Sequence, residues 1–97
     1  PEINLIFYQI TSPLNLTSVT ASTFSEKYPD HVVIIYKKST DGYKVSARCQ
    51  SGRINVGKMM NCCAAGIGLG GGQAKAAGGF VHDWREFETR VLDYLGV

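Results

Sequence analysis

The stretch of this sequence best equipped for chemistry is GIGLGGGQAKAAGGFV, residues 66–81, which holds seven of the chain's eleven glycines together with Gln73 and Lys75. Glycine costs backbone entropy on folding, so such a concentration asks for a reason. At positive φ, Gly70, Gly71 and Gly72 would present successive N–H groups into one concavity, a nest for an anion. Lys75 adds a cation beside it, and Gln73 an amide that both donates and accepts. The small run Ala76, Ala77, Gly78 and Gly79 lets a ligand or another backbone approach closely. Upstream, YKVSARC at 43–49 alternates strictly, so that Lys44, Ser46 and Arg48 line up on one face as a row of donors. Residues of these types point to binding of an anion, with Arg48 as the foremost charge contact.

Other chemistries fit poorly. Gly66, Gly68 and Gly71 satisfy G-x-G-x-x-G, but the dinucleotide fingerprint needs a strand before it and a helix after it. Here a helical pattern precedes, and a turn with a short strand follows. The phosphate loop of nucleotide hydrolases fails because Lys75 is followed by Ala76. His31 and His82 stand far apart, one at the start of a strand and one before a helix cap, and offer no metal cluster. Cys49, Cys62 and Cys63 are odd in number and two are adjacent, which suits neither a disulfide framework nor a zinc knuckle. Reduced thiols point to a cytoplasmic protein, and no apolar run approaches the length of a membrane span.

Charge sharpens the anion reading. The net charge is +2, yet Lys37 to Lys75 carries seven cations against the single acid Asp41, while the remainder carries three cations and seven acids. A locally basic surface beside a glycine-rich segment makes an anionic partner the natural candidate.

The elements that must position these residues follow from periodicity. INLIFYQI at 3–10 and HVVIIYK at 31–37 read as buried central strands. Between them a helix in residues 17–30 would turn Ala21, Phe24 and Tyr28 inward and stop at Pro29. A turn at STDG joins 31–37 to the alternating strand 43–49 as a hairpin. Asn55 caps a helix with Val56, Met59, Met60 and Cys63 as a core stripe, ending near Gly66. Then GGFV returns as a short strand, and Asp83 with Glu86 opens a helix carrying Trp84, Phe87, Val91, Leu92 and Leu95 on one face, ended by Gly96. The order is strand, helix, hairpin, helix, strand, helix. This predicts an α/β fold: one small domain over 1–97, with a mixed sheet of about four to five strands packed with two to three helices. The absence of Met before Pro1 points to a piece of a longer chain.

GGGQAKAAGGF at 70–80, preceded by YKVSARC and the helix at 55–65, resembles the DHHA1 domain, the C-terminal substrate-binding domain of DHH-family phosphoesterases, and most of all that of archaeal RecJ-like exonucleases. Ser46, Ala47, Arg48 and Gly70 through Gly79 follow the family signature, except that Gln73 stands where the family usually has histidine. The resemblance implies a non-catalytic domain that closes over the cleft of a hydrolase and holds phosphates of single-stranded nucleic acid or a nucleotide. It implies binding contacts from Arg48, Gly70, Gly71, Gly72, Gln73, Lys75, Ala77, Gly78 and Gly79, with Ser46 and Lys44 as further candidates. It implies no cofactor in this domain, and Mn²⁺ in a separate N-terminal DHH domain. About three phosphates held on a single strand would give a salt slope of roughly −2. The alternatives are an RNA-binding or dimerising module like the C-terminal domain of alanyl-tRNA synthetases, and a docking domain for replication or repair proteins.

Overall fold

The computed structural model describes residues 3–97. Its elements run β1 (Leu5–Gln9), α1 (Thr17–Lys27), β2 (Val32–Ser39), β3 (Gly42–Arg48), α2 (Val56–Ala64), β4 (Gly68–Gly72), β5 (Ala76–Val81) and α3 (Trp84–Leu95). The five strands form one mixed sheet in the order β1-β2-β3-β5-β4. β1 pairs with β2 in parallel, and the other neighbours pair antiparallel. The α/β class and the expected numbers of strands and helices hold.

The unbroken apolar run of β2 has a structural cause. Val32 and Ile34 enter the main core with α2 and α3, whereas Val33 and Ile35 pack against Ala21 and Phe24 of α1 on the other side. A strand covered on both faces has no use for a polar position. All four side chains are fully buried, each contributing roughly 1.5–3 kcal/mol relative to exposure. β1 differs from expectation. It is an edge strand with half-buried and exposed residues, since among the described residues no strand pairs with it beyond β2.

Three helix signals appear as read. Asn55 Oδ1 accepts from the Lys58 N–H at 3.0 Å, and Asp83 Oδ1 from the Glu86 N–H at 3.0 Å. Gly96 closes α3 in the left-handed region at φ 74°. Met59, Met60 and Cys63 are core residues. In α3, Phe87, Val91 and Leu95 are buried, while Trp84 and Leu92 are half-buried; the Trp84 ring stacks on Tyr36 at 3.9 Å. Tyr28 is not inward. It lies exposed beyond the end of α1, its ring 5.2 Å from that of His31.

The largest correction concerns the glycines. Residues 68–72 form β4, an edge strand in register with β5, rather than a loop. Gly70 and Gly71 therefore have extended backbones, and of the three residues expected at positive φ only Gly72 adopts it, at 146°. A nest of three consecutive N–H groups does not form, because strand geometry turns successive groups in opposite directions.

Candidate functional site

Strand alternation sorts the glycines by function. Gly70 belongs to the face under α2: a Cβ there would lie 2.7 Å from the Met60 carbonyl oxygen. Gly79, its register partner, would drive a Cβ into the Leu69 carbonyl oxygen and towards Met60 Cε at 3.1 Å. Small residues at these positions let a helix and a strand approach closely, which is a packing role. Ala77 is likewise buried on that side.

The opposite face carries the candidate site. There the register aligns Lys44 with Phe80, Ser46 with Gly78, and Arg48 with Ala76, and then Gly71 with Gly78 and Leu69 with Phe80. α1 packs on β2 and β3 on this side. Beyond β3 the floor is made of Ala76, Gly78 and Gly71, which carry almost no side chain. The result is an open groove of about 340 Å³, walled by Ser18 of α1 and by Lys44, Ser46 and Arg48 of β3, with backbone of Gly72, Ala77 and Gly79 at its margins.

The polar row of β3 is only partly free. Ser46 is 2% exposed, and its hydroxyl donates to Thr17 Oγ1 at 2.9 Å and lies 3.2 Å from Ser18 Oγ. Arg48 Nε donates to Ser22 Oγ at 3.3 Å. The serines and threonines that make α1 a poor helix by propensity are the residues that seat it on this row. Ser46 is thus chiefly a fastener between α1 and the sheet.

Arg48 Nη1 donates to the Ala47 carbonyl at 2.9 Å and to the Ala77 carbonyl at 3.1 Å. These bonds fix the guanidinium at the groove, while Nη2 has no acceptor among the described residues. No carboxylate pairs with it there either; the ion pair found is Arg90 with Glu86. Burial draws the Arg48 pKa below its ordinary value, because desolvation disfavours charge. Arginine nonetheless stays protonated. A half-buried, oriented cation without a counter-ion is what an anionic group would complete.

Lys75 and Gln73 fall elsewhere. Both are exposed in the β4–β5 connection. The Lys75 side chain lies against Gly52, whose added Cβ would meet Lys75 Cε at 3.2 Å. The Gln73 N–H is spent on the Ala76 carbonyl at 2.8 Å. Of the sequence candidates, the fold gathers Lys44, Ser46, Arg48, Gly71, Gly72, Ala77, Gly78 and Gly79 around one groove and leaves Gly70, Gln73 and Lys75 outside its lining. Ser18 was missed by sequence reasoning; its signal was the run of hydroxyl residues in α1. Among the described residues no three His, Cys, Asp or Glu side chains come together to hold a metal ion, and no helix is long and apolar enough to cross a membrane.

A family model described as the DHHA1 domain matches residues 6–94. A search of the curated proteins found no match. Among solved structures, the C-Ala domain from Aquifex aeolicus alanyl-tRNA synthetase matches with a TM-score of 0.75 at 16% identity, covering 97% of this chain and 87% of that one. RecJ from Thermus thermophilus in complex with Mg²⁺ matches with a TM-score of 0.73 at 21% identity, covering 99% of this chain and 15% of RecJ. Its complex with Mn²⁺ gives 0.72 at 21% identity, covering 99% of this chain and 14% of that one. At these identities the likeness is one of fold.

Proposed function

Because the chain belongs to the DHHA1 domain family, we propose that it is the phosphate-holding, non-catalytic domain of a DHH-family phosphoesterase acting on single-stranded nucleic acid in the cytoplasm. The observation that carries this reading is Arg48: a half-buried guanidinium, oriented by three bonds to neutral oxygens, unpaired among the described residues and set beside a floor of Gly71 and Gly78. The floor admits a phosphodiester to backbone distance, and the guanidinium meets it with charge-assisted bonds. Lys44 adds a second cation at the far end of the same wall.

The chain's residues would bind and orient; hydrolysis would belong to a separate DHH domain, where Mn²⁺ ions would activate water and stabilise the leaving oxygen. The small share of RecJ that the chain covers, 15%, supports reading it as one part of a larger enzyme. The test is fluorescence anisotropy with a labelled single-stranded oligonucleotide. Binding that weakens with salt and is lost in Arg48→Glu supports the reading; binding unchanged by either sinks it.

The fold likeness to the C-Ala domain, which the chain covers to 87%, supports a second reading as a module for structured RNA. Competition between transfer RNA and an unstructured oligonucleotide separates the two, because only the second reading expects transfer RNA to win.

A further inference from the structure

One row of the groove face is explained neither by packing nor by a single phosphate. Lys37 pairs with Lys44 across β2 and β3, Lys44 with Phe80 across β3 and β5, and Phe80 with Leu69 across β5 and β4. All four residues lie on the side occupied by α1, and none is buried.

Each half of the row is costly in isolation. Lysines directly opposite one another on a sheet repel, and among the described residues no carboxylate is paired with Lys37 or Lys44. Lys37 spends one donor on the Leu14 carbonyl at 3.1 Å and keeps two. Beside the pair opens a recess of about 600 Å³ lined by Asn15, Lys37, Lys38, Ser39, Thr40 and Lys44, which shares Lys44 with the Arg48 groove. Across the row, Leu69 is 82% exposed. The Phe80 ring lies over Gly42, where an added Cβ would come within 2.9 Å of it, and it is only half-buried.

Cations on one side, with an exposed leucine beside a half-buried aromatic ring on the other, match a nucleotide, whose phosphate and base need a charged and an apolar surface. Lys44 stands four residues from Arg48 along β3, so their backbone positions lie about 13 Å apart in an extended strand, and Lys44 joins the Arg48 groove to the Lys37 recess. We propose that this row is a second subsite, at which a single strand entering at Arg48 continues along β3, with its phosphates on Lys44 and Lys37 and a base against Phe80 and Leu69. This rests on the proposed function and adds to it the path of the strand beyond Arg48, along β3 to the Lys37–Lys44 pair and the Phe80–Leu69 pair.

The experiment is anisotropy with labelled oligothymidylates of increasing length and with abasic oligomers of the same phosphate number. Affinity is expected to rise with length until the strand reaches the row. Phe80→Leu, which keeps an apolar side chain but removes the π face, should weaken thymidylate binding by about fivefold to tenfold and leave abasic binding unchanged. Lys37→Gln should lower the salt slope by about 0.7. Affinity independent of length, or equal losses for thymidylate and abasic oligomers in Phe80→Leu, overturns the second subsite while leaving the Arg48 reading in place. Binding at every length that ignores Arg48→Glu, or no binding at any length, overturns both.

Discussion

Arg48 Nη1 donates 3.1 Å to the carbonyl oxygen of Ala77 on the neighbouring strand, so the arginine of the Ser-x-Arg strand is positioned by the backbone of the Ala-Ala-Gly run. The two halves of the family signature meet in that bond. Lysine cannot hold Ser22, Ala47 and Ala77 and still offer N–H groups to a ligand, because its ammonium has three donors and lacks the planar fork. Arg48→Lys should therefore bind a single-stranded oligonucleotide about tenfold more weakly or worse, the loss expected for charged hydrogen bonds of about 1.5–3 kcal/mol. Lys75→Ala, altered at a side chain lying against Gly52, should change affinity far less. Equal losses in the two variants, read by anisotropy, would return the weight to Lys75.

Gly70 and Gly71 are adjacent, yet they should respond oppositely to alanine. A Cβ on Gly70 meets the Met60 carbonyl oxygen at 2.7 Å, whereas one on Gly71 finds only Asn61 Nδ2 at 4.0 Å. Gly70→Ala should lower stability by about 1–3 kcal/mol through overpacking, seen as a reduced melting temperature. Gly71→Ala should melt near the parent protein and bind oligonucleotide more weakly, since the methyl raises the groove floor. Normal binding by Gly71→Ala would show that the floor is not a contact.

Ser46→Ala should destabilise without touching charge. The variant leaves Thr17 Oγ1 buried without its donor, at a cost of about 1–3 kcal/mol. In a domain of this size each kcal/mol is worth roughly 4–8 °C in melting temperature. A melting temperature within one degree of the parent, with about one degree taken as no effect on that scale, would mean that Ser46 does not fasten α1.

Stability should fall in alkali through Cys63. Burial raises its thiol from 9.0 to about 11, with a smaller contribution from neighbouring Cys62. Between these values the unfolded chain loses the proton and the native protein keeps it, so the native state binds more protons and stability declines as pH rises. The contribution is full below pH 9 and lost as pH rises through about 11. Denaturant midpoints for the parent and Cys63→Ala should converge across that window. Parallel curves would assign the alkaline loss to other groups. At neutral pH a thiol reagent should label Cys62, which is exposed, ahead of buried Cys49 and Cys63.

Much of the fold was legible in the chain because its signals are local. Asn55, Asp83 and Gly96 punctuate helices through bonds within a few residues, and the alternation of 43–49 places Lys44, Ser46 and Arg48 on one face wherever the strand lies. The double-sided apolar run of β2 announced cover on both faces. Three matters depended on partners distant in sequence. GLGGG reads as a loop until β5 pairs with it, because glycine has no strand preference of its own. Pairing then divides Gly70 from Gly71, sending one beneath α2 and the other to the groove. The polar row reads as three free donors until Thr17, Ser18 and Ser22 arrive from α1. The sequence by itself determined which residues are cationic, hydroxylated or small, since composition and spacing are properties of the chain. Only the tertiary structure decided that Arg48 stands at the groove while Lys75 and Gln73 lie outside it, because register between strands sets which side chains share a face.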